Sequence, residues 1–207
     1  MPEIKQLALG SLSTNCYIVW DSRDKNNAVI IDPADSYYVI ERFLTDKSLT
    51  PVAILITHAH SDHTGAVARL KDGFPNIRVF VHEDDADFCE EVALSGARAL
   101  YEPFPVDERV KDGDEIKIGV MTFRVVHTPG HSRGSVLYVI GNAMFSGDTL
   151  FAGSVGRVDL PGGDPAAQRV SLRRIAAMPG DYDVYPGHDV ATTLERERAE
   201  NVYLDVV

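Results

Sequence analysis

The sequence predicts an α/β sandwich, two sheets face to face with helices outside, and three observations carry that prediction. Apolar or alternating runs of strand length crowd the N-terminal third, helical stripes separate the later runs, and the same succession occurs again in the C-terminal half. Residues 4–9, 15–20 and 28–31 are the first three strands. Gly10-Ser11 and the polar residues 21–27 punctuate them, and such tight succession predicts antiparallel pairing. Asp32-Pro33 reads as a turn, after which residues 37–47 place Tyr38, Val39, Phe43 and Leu44 on one helical stripe. Residues 52–56 are continuously apolar, which predicts a strand buried on both faces. A helix beginning near His63 runs to Lys71 and closes at Gly73, followed by a strand over 77–81 and an acidic helix over 84–92. Residues 93–112 carry no legible pattern. In the second half, 116–118, 121–126, 136–140 and 143–145 read as strands. Asp164 caps a helix whose first residue is Pro165 and which reaches about Ala177, before Pro179-Gly180. Residues 183–185 form a last strand and 191–203 a last helix. At about 150 residues per domain, a single α/β domain over residues 1–207 accounts for the length.

The composition, 44% hydrophobic and 25% charged, is that of a globular protein and argues against disorder or coiled coil. No apolar stretch approaches the roughly 20 residues of a membrane helix, and the N-terminus shows no basic region followed by an apolar core. The expected address is the cytoplasm, with no membrane partner. A net charge of −11 disfavours nucleic acid, whose affinity comes from phosphate neutralisation. Cys16 and Cys89 form no Cys-x-x-Cys and read as two buried reduced thiols.

The chemistry lies in the histidines. Thr57-His58-Ala59-His60-Ser61-Asp62-His63 places three of the seven, and a carboxylate, in a short stretch. Three more places share one grammar, an apolar run that stops at glycine and is followed by His or Asp: His127-Thr128-Pro129-Gly130-His131, Ser146-Gly147-Asp148 and Pro186-Gly187-His188. Imidazole and carboxylate suit zinc, manganese or iron. His58 and His60 share a face because alternate residues do, while Asp62 and His63 are displaced toward a second ion. His58, His60, Asp62, His63, His131, Asp148 and His188 exceed the needs of one tetrahedral ion, and two ions sharing a carboxylate use all seven. Neither cysteine belongs to the set, which argues against a closed structural zinc site. His82 and His127 have no partners in the pattern and read as structural.

Thr57 to Gly65 resembles the His-x-His-x-Asp-His signature of the metallo-β-lactamase superfamily, and His131, Asp148 and His188 follow in that superfamily's order. Asn15-Cys16-Tyr17, Gly147-Asp148-Thr149-Leu150-Phe151 and Tyr185-Pro186-Gly187-His188 resemble the glyoxalase II (hydroxyacylglutathione hydrolase) branch. Gly153 to Asp164 resembles its short single-domain members. The resemblance implies a four-layer αββα sandwich of two mixed sheets with metals at one edge. It implies a first metal on His58, His60 and His131, a second on Asp62, His63 and His188, and Asp148 bridging both.

Two such ions, zinc first with iron or manganese as alternatives, would share a hydroxide formed near neutral pH that attacks an acyl carbon. A thiolate, with a solution pKa near ~8.5, leaves without much protonation. An amine leaving group needs a proton donor, for which Asp62 is the candidate. The expected activity is therefore hydrolysis of a small acyl thioester such as S-lactoylglutathione. Arg157 is the expected anchor for a substrate carboxylate. Asp159 and Val190 stand where the family's tyrosine contacts lie, and the glutathione-binding helical domain that follows in full-length members is not expected here. Gly156-Arg157-Val158-Asp159 also resembles the persulfide dioxygenase branch, which implies a second reading with one iron on His58, His131 and Asp148; a hydrolase of another ester or a lactone is the other alternative. β-Lactamase activity is disfavoured, because Asp148 stands for the zinc-ligand cysteine of many such enzymes.

Overall fold

A computed structural model describes residues 2–24, 26–90 and 102–205. The first sheet holds, side by side, β1 (Glu3–Leu9), β2 (Thr14–Trp20), β3 (Asn27–Ile31), β4 (Thr50–Leu55), β5 (Arg78–His82) and β6 (Glu108–Val110). β1 to β3 pair antiparallel, as their close spacing predicts, and β3 to β6 run parallel. Helices α1 (Tyr37–Asp46), α2 (Ser61–Thr64), α3 (Val67–Gly73) and α4 (Glu83–Glu90) connect its strands. The second sheet uses β7 (Glu115–Ile118), β8 (Met121–His127), β9 (Val136–Ile140) and β10 (Ala143–Gly147). A small ribbon of β11 (Leu150–Phe151) and β12 (Ser154–Val155) precedes α5 (Pro165–Ala176), β13 (Asp183–Pro186), β14 (Thr192–Thr193), α6 (Leu194–Glu200) and α7 (Val202–Asp205). Its order is β14-β13-β10-β9-β8-β7, with β10 and β13 parallel and the other pairs antiparallel.

Three apolar layers hold four structural layers together. Tyr17, Val29, Leu55, Phe123, Tyr138 and Phe145 fill the space between the sheets. Ile30 and Ile54 point the other way, onto Ile40 and Leu44 of α1 and Leu70 of α3. Val126 and Met144 meet Leu172 and Ile175 of α5. Burying each such side chain contributes on the order of 1.5–3 kcal/mol. Strands sandwiched on both faces must be apolar throughout, which is why β9 and β10 carry no alternation.

Four sequence expectations need correction. The helix expected from His63 to Lys71 is two, α2 and α3, because at Gly65 the chain presses on the preceding loop: a Cβ there would lie 2.4 Å from the Ala34 carbonyl oxygen. Ala66 N then donates to the Pro33 carbonyl at 2.9 Å. The expected last helix is β14, α6 and α7. Buried Asn201 interrupts it by donating to the Ser154 carbonyl at 3.1 Å and accepting from Tyr203 N at 3.0 Å. On α1 the buried residues are Ile40 and Leu44, whereas Tyr38 is exposed. The patternless segment contains β6, whose three residues are too short to alternate visibly. Residues 91–101, including the end of the expected acidic helix, lie outside the described residues. The cap at Asp164 is as expected, accepting from Ala166 N and Ala167 N, an arrangement that contributes about 1 kcal/mol.

Candidate metal centre

The loops leaving β4, β8, β10 and β13 open at one edge of the sandwich and carry every expected ligand. His58 and His60 follow β4, Asp62 and His63 fill the first turn of α2, and His131, Asp148 and His188 follow β8, β10 and β13. All seven meet, as two trios on either side of Asp148. In the first, His60 Nδ1 is 2.8 Å from His131 Nε2, itself 3.2 Å from His58 Nε2. In the second, Asp62 Oδ2 lies 3.3 Å from His188 Nε2 and 3.6 Å from His63 Nε2. Asp148 faces both: Oδ2 is 3.5 Å from His131 Nε2 and 3.6 Å from His188 Nε2, while Oδ1 is 3.3 Å from His63 Nε2. An ion with metal–nitrogen bonds of about 2.0–2.1 Å in tetrahedral geometry sets its ligands roughly 3.3 Å apart. The spacings fit that requirement.

Each ring except His60 is aimed by a bond at its outer nitrogen. His63 Nδ1 donates to Asp32 Oδ2 at 3.0 Å. His58 Nδ1 meets Thr57 Oγ1 at 3.1 Å, and that hydroxyl donates to Asp32 Oδ2 at 2.6 Å. His131 Nδ1 donates to the Arg157 carbonyl at 2.7 Å, and His188 Nδ1 to the Leu12 carbonyl at 3.3 Å. These acceptors assign the proton to Nδ1 and leave the Nε2 lone pair facing inward. His60 instead turns Nδ1 inward. Two buried atoms, His63 Nε2 and Asp148 Oδ1, have no hydrogen-bond partner. A buried polar atom left unpaired costs about 1–3 kcal/mol, and a cation satisfies both. The residues therefore fit a divalent metal.

Electrostatics divides the two trios. Burial, reinforced by His63 and His131, holds His58 well below the usual imidazole range, and burial with His131 takes His60 down to about 4. Both are neutral ligands at pH 7. Burial opposes charge on His63 as well, but Asp148 and Asp32 outweigh it and raise that ring; the bond to Asp62 raises His188. Asp62 and Asp148 stay ionised, since the neighbouring histidines outweigh their desolvation.

Two carboxylates that sequence reading missed hold this arrangement. Asp32, left-handed at φ 48° in the irregular segment that follows β3, has a buried carboxylate that accepts from Thr57 N at 2.8 Å and so serves both trios. Asp85 of α4 accepts from Ala59 N, Ser132 Oγ and Gly134 N at 3.0, 2.7 and 2.7 Å, tying the His58 loop to the His131 loop. Neither has a ligand motif beside it, so nothing local signals the role. From the other direction, Asn15 Nδ2 donates to the Pro186 and Asp189 carbonyls at 3.0 and 2.9 Å, and Tyr17 Oη to Pro186 at 2.6 Å, bracketing His188. At Gly187 a Cβ would lie 2.3 Å from Asp148 Oδ1, so the glycine before His188 admits the carboxylate.

Arg157 is exposed, with its guanidinium paired to both oxygens of Asp159 at 2.7 Å. His82 and His127 do have partners: their rings stack at 3.9 Å and 15°, with Asp84 Oδ2 at 3.7 and 4.0 Å.

Fold and site define a class, an αββα sandwich with a metal-binding edge. The chain belongs to the metallo-beta-lactamase superfamily, whose family model matches residues 9–188. It is 31% identical to the probable metallo-hydrolase YqgX of Bacillus subtilis over 97% of both chains. It is 35% identical to hydroxyacylglutathione hydrolase of Photobacterium profundum, over 86% of this chain and 63% of that one. Among solved structures, BLEG-1 B3 metallo-beta-lactamase superposes with a TM-score of 0.87 at 38% identity, covering 98% of this chain and 99% of that one. A di-iron-bound form of TTHA1623 gives 0.84 at 38%, covering 96% and 99%. ETHE1 from Myxococcus xanthus gives 0.80 at 28%, covering 97% and 83%. Among the described residues, no helix is long and apolar enough to cross a membrane.

Proposed function

We propose that this metallo-hydrolase is a dinuclear thioester hydrolase, acting in the cytoplasm on a small acyl thioester such as S-lactoylglutathione and on no nucleic acid. The observation that carries it is the pair of trios around Asp148 with their lone pairs turned inward. His58, His60 and His131 would hold one ion, Asp62, His63 and His188 the other, and Asp148 would join them. Zinc suits this nitrogen and oxygen set; the di-iron form of TTHA1623 supports iron as the alternative. Bound there, divalent ions supply Lewis acidity and a water that ionises near neutral pH.

The chain's own residues do the rest. Asp32, through Thr57 and His63, keeps rings of both trios from rotating. Asp62 Oδ2, ionised at the edge of the second trio beside the Thr14 hydroxyl (3.5 Å), is the carboxylate placed to take up a proton from the attacking water and pass it to a departing group. A thiolate needs no such help, which favours a thioester over an amide. The likeness to hydroxyacylglutathione hydrolase supports the substrate class. The free buried thiols Cys16 and Cys89 suit a reducing compartment.

The likeness to ETHE1 supports a second reading, a persulfide dioxygenase with one iron on His58, His131 and Asp148. Elemental analysis of purified protein, coupled to assays with S-lactoylglutathione, glutathione persulfide under oxygen, and a β-lactam, separates these. Two ions per chain with thioester hydrolysis is the expected result. One iron with oxygen uptake would establish the second reading, and β-lactam turnover alone would align the chain with BLEG-1.

A further inference from the structure

A cavity of about 380 Å³ opens beside the first trio, bordered by Ala59, His60, Phe88, Ser132, Arg133 and Pro161. Its size falls in the range of small-ligand sites. Arg133 stands two residues beyond His131 on a fixed loop. Its carbonyl accepts from His127 Nε2 at 2.9 Å, and Ser132 and Gly134 on either side bond to buried Asp85. The backbone is thus held while the side chain is exposed, and among the described residues no carboxylate pairs with its guanidinium.

The carboxylates around the cavity are engaged elsewhere. Both oxygens of Asp85 accept backbone or hydroxyl donors, Asp87 pairs with Arg109 Nη1 at 2.7 Å, and Asp84 lies against the His82–His127 stack. Arg157, the anchor expected from sequence, is already closed on Asp159. A chain of net charge −11 repels anionic ligands on average, so an anionic substrate needs a local cation near the reacting groups. A guanidinium meets a carboxylate with two parallel hydrogen bonds, which fixes orientation as well as charge.

We infer that Arg133 anchors a carboxylate of the substrate in this cavity, making it the residue by which the centre selects anionic acyl thioesters. The inference rests on the thioester reading above, and its test keeps the two apart. Metal-loaded wild type, Arg133→Gln, Arg133→Lys and Arg157→Gln are compared on S-lactoylglutathione and on neutral S-lactoyl-N-acetylcysteamine. Binding of the non-hydrolysable S-methylglutathione is measured by calorimetry on the same samples. Arg133→Gln should lower kcat/KM on the anionic thioester about ten-fold or more, mainly through KM, and weaken S-methylglutathione to a similar degree. The neutral thioester should change less than about two-fold. Arg133→Lys should recover part of the loss, since it restores charge without the fork. Equal loss on both thioesters, no loss, or selective loss in Arg157→Gln instead overturns the assignment. So does wild type that fails to bind S-methylglutathione. Wild type that binds that probe through Arg133 but hydrolyses neither thioester leaves the anchor standing and sinks the hydrolase reading.

Discussion

Two clusters in this molecule have the same chemical make-up and different fates. His82, Asp84 and His127 bring two imidazoles and a carboxylate within 4.8 Å of one another, as each trio of the main centre does, though their closest contacts to the carboxylate, 3.7 and 4.0 Å, are longer. In the main centre the rings meet edge to face, His58 against His131 at 83° and His60 against His131 at 86°. In the smaller cluster they stack at 15°. A nitrogen lone pair lies in its ring plane, so two nearly parallel rings stacked with centroids 3.9 Å apart cannot both aim at one ion about 2 Å away. The outer bonds differ too. His127 commits Nε2 to the Arg133 carbonyl, and His82 Nδ1 accepts from Asp84 N, so both rings use their bonds to hold loops. Proximity of ligand-type residues is therefore a poor guide; ring orientation and the bond at the far nitrogen decide.

The largest expected effect falls on the residue between the trios. Asp148→Ala should lose both metals and roughly 10³-fold or more in turnover, as several kcal/mol of charge stabilisation disappear. A variant that keeps two ions by elemental analysis and full activity would remove Asp148 from its joining role. Next comes Asp32→Asn, which touches no ion but frees the rings of His63 and His58. Chelator competition should show metal affinity falling about 10–100-fold, and unchanged affinity would mean that packing alone aims those rings. A smaller effect concerns protons. His60 titrates near 4 when folded against about 6.5 unfolded, so the unfolded chain takes the proton first and metal-free protein loses stability as pH falls from 6.5 toward 4. Urea unfolding of stripped wild type and His60→Asn at pH 7 and pH 5 should show a shallower slope in the variant. The difference is at most about 1.4 kcal/mol per pH unit; parallel slopes contradict it. Smallest of all, His127→Ala should cost about 1 kcal/mol of stability from the lost bond to Arg133 and leave metal content untouched. Loss of an ion in that variant would dissolve the distinction between the clusters.

How much of this was legible in the chain follows from distance along it. His58, His60, Asp62 and His63 announce themselves because adjacency and a helix start place them, and His131, Asp148 and His188 because each follows a strand and a glycine. Asp32 and Asp85 did not, since each acts on a loop 25 or 26 residues away through bonds that exist only after β3, β4 and α4 have packed. The breaks at Gly65 and Asn201 were hidden for the same reason: local periodicity continues through them, and the contacts that interrupt it, with Ala34 and Ser154, come from elsewhere in the fold. The apolar runs were read correctly because a strand buried on both faces must be apolar wherever it sits.

The link from Asn15 and Tyr17 to Pro186 joins opposite ends of the polypeptide across the gap between the sheets. A single half of the chain therefore cannot form a complete cation cradle. Tight ion capture must wait until the halves have docked, and an ion once seated acts as a rivet between them. Chelation should accordingly speed amide exchange in the first hairpin, far in sequence from most of the donors it unloads.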